Sequence, residues 1–76
     1  MTKTIIRITE PFIRLDNLLK LAGVTVTGGQ AKMKIQAGEV KLNGETCLQR
    51  GKKLRVGDVV EVDEVQVSVA QEGPEP

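Results

Sequence analysis

The 76-residue sequence contains no His, Trp or Tyr, and it has only one Phe and one Cys, Phe12 and Cys47. Without His the chain lacks the commonest general acid and base, and one Cys can form neither an internal disulfide nor a cysteine-rich metal site. One aromatic side chain cannot provide a platform on which successive nucleobases stack. We therefore expect no catalytic residue, no metal and no cofactor, and we expect Cys47 to be a buried or half-buried strand residue.

Long apolar runs are also missing. None approaches the roughly 20 residues of a membrane span, and the first ten residues, MTKTIIRITE, lack the apolar core of a signal peptide. We therefore expect a cytoplasmic protein with no membrane partner. A chain this short forms one small domain, with little room for an enclosed active site, and we expect it to be a monomer.

The charges that are present are sorted along the chain. Residues 14–55 carry nine Lys and Arg against three Asp and Glu, whereas residues 56–76 carry six acids and no base. The formal net charge of +1 hides this separation, and it is the local field that attracts a phosphate backbone. The pattern favours a basic face that binds a polyanion.

Two helices are predicted in the first half of the chain. Leu15, Leu18, Leu19 and Ala22 have helical spacing before Gly23, which predicts a helix over 15–22. A capping box of Thr27 and Gln30 predicts a second helix over 28–37. Before them, the β-branched segment 4–8 predicts an edge strand that ends before Pro11.

The second half alternates with the period of β-structure. Val40 and Leu42 predict a strand, Asn43 and Gly44 a hairpin turn, and residues 45–48 the return strand. A polar basic loop over 50–53, strands over 59–62 and 65–69, and a surface turn at Asp63 and Glu64 should follow. We expect the domain to span residues 1–70, with QEGPEP at 71–76 as a disordered tail.

Four segments, RLDNLLKLAG, TGGQAK, GEVKLNG and RGKKLRVGDVVEV, occur in an order and at a spacing that resemble the RNA-binding domain named after small-ribosomal-subunit protein four. The similarity covers residues 14–62 and is greatest to short stand-alone bacterial members of the YaaA and YbcJ type. It implies an α+β fold with an α-α-β unit, two helices packed on a small mixed, mainly antiparallel sheet. It also implies binding to structured RNA, typically ribosomal or transfer RNA, and a role in ribosome assembly or translation, and we expect ribosomal RNA to be the target.

The resemblance carries over to individual residues. It assigns Arg14 and Lys32 as phosphate contacts, and Lys41 and Asn43 to the strand and turn of the RNA-binding unit. The general family has Ser and then Arg at the start of the second helix, whereas this sequence has Thr27 and Gly28. That difference removes a principal RNA-contacting side chain, although stand-alone members also have Gly there.

The segment from Thr27 to Gln30 also suggests a site on physical grounds. The start of a helix leaves backbone N–H groups unpaired, and Gly28 and Gly29 would let a phosphate approach without a Cβ in the way. The alternative is that Thr27 only caps the helix and the glycines form a tight loop. Lys32 and Lys34 point in different directions, so we expect Lys32 to face RNA and Lys34 to face solvent.

The remaining candidates are basic. Arg50, Lys52 and Lys53 surround Gly51 and could converge on consecutive phosphates, or they could be an ordinary solvated surface. Arg14 could grip a phosphate with two parallel hydrogen bonds, or it could pair with Asp16 or Glu10.

The sequence therefore predicts a non-catalytic protein that binds structured RNA by shape and phosphate contacts. The alternative is a protein-interaction adaptor that uses its basic face, or a strand edge at residues 4–8 or 65–69.

Overall fold

The computed structural model describes residues 1–73. Its elements in chain order are β1 (Thr2–Ile8), β2 (Ile13–Arg14), α1 (Leu15–Leu21), α2 (Gly28–Gln36), β3 (Lys41–Leu42), β4 (Glu45–Thr46), β5 (Lys53–Leu54), β6 (Val59–Val62) and β7 (Val65–Gln71). No helix in this part of the chain is long and apolar enough to cross a membrane.

The main sheet has five strands in the order β1-β7-β6-β3-β4. The β1–β7 pair is parallel and the other three pairs are antiparallel. The predicted fold, two helices on a mixed and mainly antiparallel sheet, is confirmed. A second, two-stranded sheet joins β2 to β5 and was not predicted.

Both helices begin and end close to their predicted limits. In α1 the side chains of Leu15, Leu18 and Leu19 are buried, and the chain leaves the helix at Gly23, whose φ of +77° suits a residue without Cβ. In α2 the narrow apolar stripe of Ala31 and Ile35 is buried. Apolar burial therefore fixes how each helix is rotated against the sheet.

The core lies on one face of the main sheet. Its strand residues alternate as expected, and the buried apolar set is Ile8, Leu15, Leu18, Leu19, Ala31, Ile35, Val40, Leu54, Val60, Val62, Val67 and Val69. Since successive strand residues point to opposite faces, the intervening residues of β1, β6 and β7 lie on the other face of the sheet, which is more exposed.

Two hairpins have turn residues in the left-handed region. Asn43 and Gly44 have φ of 51° and 87°, as the predicted Asn-Gly turn requires. Asp63 and Glu64, at the turn between β6 and β7, have φ of 50° and 60°. The second turn thus has the same conformation without a glycine.

Several features differ from the prediction, and β1 begins at Thr2 instead of residue 4. Lys53 belongs to β5 and not to a loop, and the return strand ends at Thr46, which leaves half-buried Cys47 outside any strand. Strand β7 pairs on both sides, so residues 65–69 offer no free edge. It also continues to Gln71, beyond the predicted domain boundary, and the N–H of Glu72 donates to the carbonyl of Ile8. Residues 74–76 of the predicted tail lie outside the described residues.

Candidate nucleic-acid interface

Four of the predicted basic residues lie close together because β2 pairs with β5. Arg14 is directly opposite Lys53 in this small sheet. The carbonyls of Lys52 and Arg50 accept the N–H groups of Leu15 and Asp16 at 2.9 and 3.1 Å. We call Arg14, Arg50, Lys52 and Lys53 the basic cluster. Because the loop carbonyls occupy the first N–H groups of α1, that helix start is closed to an outside anion.

Arg14 also forms an ion pair with Asp16, which the sequence offered as an alternative to a phosphate contact. Its Nη2 lies 3.1 Å from Oδ2 of Asp16, with half of the Arg14 side chain exposed. The guanidinium also lies beside Gly51, where a Cβ would be 3.6 Å from Nη2. An exposed pair of this kind is worth little energy, so Asp16 orients Arg14 without closing it off from a phosphate.

Lys53 is positioned by Phe12. The Lys53 ammonium lies 4.8 Å from the centre of the Phe12 ring, within the range of a cation–π contact. Phe12 was not among the residues predicted for the site, although it lies two residues before Arg14 in the sequence. The single aromatic ring therefore supports a basic side chain.

The other members of the basic cluster are free to bind. Arg50 and Lys52 are exposed. Within residues 1–73, the ion pairs involve Arg14 and Lys34 only. The positive charges of Arg50, Lys52 and Lys53 are therefore not neutralised by a carboxylate there.

The start of α2 is open, in contrast to α1. Oγ1 of Thr27 accepts from the N–H of Gln30 at 3.1 Å, and Oε1 of Gln30 accepts from the N–H of Val26 at 2.7 Å. The predicted cap is present, but Gln30 reaches back to Val26 instead of to Thr27. No hydrogen bond among the described residues uses the N–H of Gly28 or Gly29.

Neither glycine is required by the fold. Both are exposed and helical, and neither has positive φ. A Cβ on Gly28 would meet nothing within 4 Å, and one on Gly29 would meet only Oγ1 of Thr27, at 3.8 Å. The tight-loop interpretation is therefore wrong, and the two positions expose bare backbone donors to solvent.

Lys32 and Lys34 have different surroundings, as expected, but Lys34 is held by a carboxylate instead of facing solvent. Lys32 is exposed. Lys34 was expected to face solvent, but its Nζ lies 2.6 Å from Oδ2 of Asp63 in the β6–β7 turn. This hydrogen bond, with help from the charges of Asp63 and Glu39, raises the pKa of Lys34 above its ordinary value.

The β3–β4 hairpin holds the last two predicted residues. Nδ2 of Asn43 donates to Oδ1 of Asp58 at 3.1 Å, and its Oδ1 accepts from the N–H of Val59 at 2.9 Å. The Asn43 side chain thus holds the turn to the start of β6. Lys41 is exposed and lies opposite Glu61 and Thr46.

A groove of about 380 Å³ connects this hairpin to Lys52 of the basic cluster. Cys47 and the exposed Leu48 also line it. The groove places Lys52 beside the hairpin, but neither Lys41 nor Asn43 lines it. No hydrogen bond or ion pair within residues 1–73 joins the predicted residues of α2 to that groove.

Comparison with known proteins gives consistent results. The family model described as "S4 domain" matches residues 6–70. A Bacillus subtilis (strain 168) protein named "Probable ribosome maturation protein RlbA" is 47% identical over 58 residues, which are 76% of this chain and 82% of that protein. Small ribosomal subunit protein uS4 of Rhodopirellula baltica is 41% identical over 49 residues, 64% of this chain but 24% of that longer protein.

A solved structure is similar over most of the fold. The solution structure of YbcJ from E. coli has a TM-score of 0.66 and 31% sequence identity, covering 92% of this chain and 87% of that one. YbcJ contains a motif called ALFAL that is involved in RNA binding. Both the sequence and the arrangement of elements thus agree with a protein of this type.

Proposed function

Because the chain belongs to the S4 domain family, we propose that it is a cytoplasmic, non-catalytic protein that binds structured RNA, with ribosomal RNA as its target. We assign the contacts to the basic cluster, to the start of α2 with Lys32, and to the hairpin residues Lys41 and Asn43. Its role would lie in ribosome assembly or translation. Relatives that carry ribosome-related names support this assignment.

The observation that carries the proposal is the pair of glycines at the start of α2. Gly loses more backbone freedom than Ala when a helix forms, and nothing in the packing around Gly28 requires that cost. The glycines instead leave two backbone N–H groups accessible at the positive end of the helix dipole. A phosphate oxygen can accept both hydrogen bonds, and without a Cβ the RNA backbone can approach the helix start closely.

The form of recognition follows from the same residues. Phe12 is covered on one side by Lys53, and the site contains no second aromatic ring. Stacking of unpaired bases therefore has little support. Fixed cations around Gly51 and backbone donors on α2 suit the phosphates of a folded RNA, whose spacing is set by its shape.

Binding can be measured with folded ribosomal RNA fragments and with matched duplex DNA, each titrated across salt. We expect a preference for RNA and a linear fall of log K with log salt, with a slope of up to about 0.9 per phosphate neutralised on a duplex. Absence of binding to either nucleic acid at low salt would contradict the proposal and favour a protein partner for the basic cluster.

The variant Gly28→Ala tests directly whether the exposed backbone at the start of α2 binds a phosphate. Ala should stabilise α2 by about 0.5–1 kcal/mol and still weaken RNA binding, because its methyl group occupies the path of the phosphate. Gln36→Ala, at the exposed far end of the same helix, serves as the control that leaves binding unchanged. Tighter or equal binding by Gly28→Ala would exclude the start of α2 from the site.

A further inference from the structure

The strand β1 forms one edge of the main sheet, and only its end, at Arg7 and Ile8, shares a groove with Arg14 of the basic cluster. It pairs with β7 through seven consecutive residues from Thr2 to Ile8 without a bulge, and no other strand within residues 1–73 pairs with it. The opposite edge is β4, which has two residues. Proteins usually blunt an exposed edge by keeping it short, by a bulge, by proline or by charged side chains, above all Lys. Of these devices β1 has only the charged side chains, Lys3 and Arg7, which repel a second basic edge and leave the backbone of the strand open to an acidic one.

The backbone of β1 has a fixed set of free hydrogen-bonding groups. The N–H of Thr2 donates to the carbonyl of Glu64, and the carbonyl of Ile8 accepts from Glu72. The backbone N–H and C=O groups of the even-numbered residues of β1 therefore point toward β7. Since the backbone groups of successive residues point to alternate sides of a strand, the N–H and C=O groups of Lys3, Ile5 and Arg7 point away from the sheet.

The same three residues define the chemistry of this edge. Their side chains lie on the sheet face opposite the core, and all three are exposed, Ile5 by 54%. Neither Lys3 nor Arg7 is in an ion pair within residues 1–73. The edge thus presents, two residues apart, a cation, an apolar side chain and a second cation.

We propose that β1 is a docking site for an extended acidic segment of a partner protein, which adds to the main sheet as a sixth strand. The segment would have carboxylates at two positions four residues apart, opposite Lys3 and Arg7, and a branched apolar residue between them, opposite Ile5. The three outward N–H and C=O pairs of β1 would supply the ladder.

Charge argues against a second copy of this chain as the occupant. An antiparallel pair of β1 strands centred on Ile5 would place Lys3 opposite Arg7 twice, and a parallel pair in register would place each cation opposite itself. Like charges directly opposite each other in a sheet are destabilising. An RNA strand lacks the alternating peptide donors and acceptors that match this edge.

The test uses a labelled seven-residue peptide with Glu at positions 2 and 6, Val at position 4 and Thr elsewhere. Titration should slow amide hydrogen exchange at Lys3, Ile5 and Arg7 of the full chain. A peptide with Lys in place of Glu, and one N-methylated at the ladder-facing amides, are the matched controls. Both should bind at least roughly tenfold more weakly.

Two variants complete the test. Lys3→Glu with Arg7→Glu should weaken binding of the acidic peptide by at least roughly tenfold and favour the Lys peptide. Ile5→Pro removes an outward N–H, which an edge strand tolerates, and should abolish binding. Equal binding of the N-methylated peptide, no added protection at millimolar peptide, or protection by an RNA oligonucleotide in its place would overturn the proposal, whatever the result for RNA at the basic cluster.

Discussion

Nζ of Lys34 in α2 lies 2.6 Å from Oδ2 of Asp63 in the turn between β6 and β7. This contact joins α2, whose N-terminus is open, to the turn of the hairpin formed by β6 and β7. The same turn also accepts the N–H of Thr2 through the carbonyl of Glu64, at 2.9 Å. A two-residue turn thus holds α2 and the start of β1 at once.

The Lys34–Asp63 contact predicts a stability change at alkaline pH. The hydrogen bond to Asp63 raises the pKa of Lys34 above its ordinary value of 10.5, so the folded state holds this proton more tightly than the unfolded state. The stabilisation is fully present below the unfolded pKa and is lost as pH rises through the folded value. Wild type should exceed Lys34→Met in urea stability at pH 8, and the difference should shrink above pH 10.5. Lys32→Met, at an exposed unpaired lysine, should show no such pH dependence.

The turn itself predicts a stabilising substitution. Glu64 has a φ of 60°, a conformation that costs a residue with Cβ about 1–2 kcal/mol. Glu64→Gly should therefore raise the free energy of unfolding by about 0.5–1 kcal/mol after the entropy cost of Gly. Glu64→Ala removes the same charge but keeps the strain, so it should give no gain. Equal effects of the two substitutions would show that charge and not backbone conformation decides the result.

Thr25 offers a second test of stability. Its side chain is buried, with 4% of the residue exposed, and Oγ1 has no hydrogen-bond partner among the residues that the structure describes. Thr25→Val keeps the shape and removes the unsatisfied hydroxyl, so we expect stabilisation by about 1 kcal/mol in urea unfolding. Thr25→Ser keeps the hydroxyl and loses a methyl group, and it should be less stable than wild type. A destabilised Thr25→Val protein would mean that the hydroxyl is paired in solution.

The basic cluster predicts a graded loss of RNA affinity. Lys52 is exposed and forms no ion pair within residues 1–73, so Lys52→Glu should leave the fold intact, weaken binding to folded RNA and lower the salt slope by about 1. Adding Lys53→Glu should weaken RNA binding further and also remove the contact between Lys53 and Phe12. Lys20→Glu makes the same charge change in the last turn of α1, outside the proposed site. Equal effects of Lys20→Glu and Lys52→Glu would show only a general response to net charge.

The sequence pattern correctly predicted those elements that are determined by residues close together in the chain. Helical spacing and the Thr27 cap gave both helices to within one residue at each end, and Asn43 with Gly44 gave the hairpin turn. Strand β6 has the predicted limits. In each case the residues that determine the element lie within it or beside it.

What the sequence did not reveal depends on distant partners. A two-residue strand has no periodicity, so the pairing of β2 with β5 could not be read, and with it the convergence of Arg14 and Lys53. The Lys34–Asp63 pair and the double pairing of β7 likewise join segments far apart in the chain. The site residues themselves stay predictions, since their test is binding.

The pairing of β1 with β7 also has a consequence for the order of folding. The first strand of the domain has its hydrogen-bonding partner at the opposite end of the sequence, so during synthesis it must wait, unpaired, until nearly the whole domain has been made. The helices and the two hairpins close over short distances and can form earlier. Docking of β1 is then the closing step of assembly, and a chain stalled shortly before Val65 would expose Ile6 and Ile8 to chaperones and proteases.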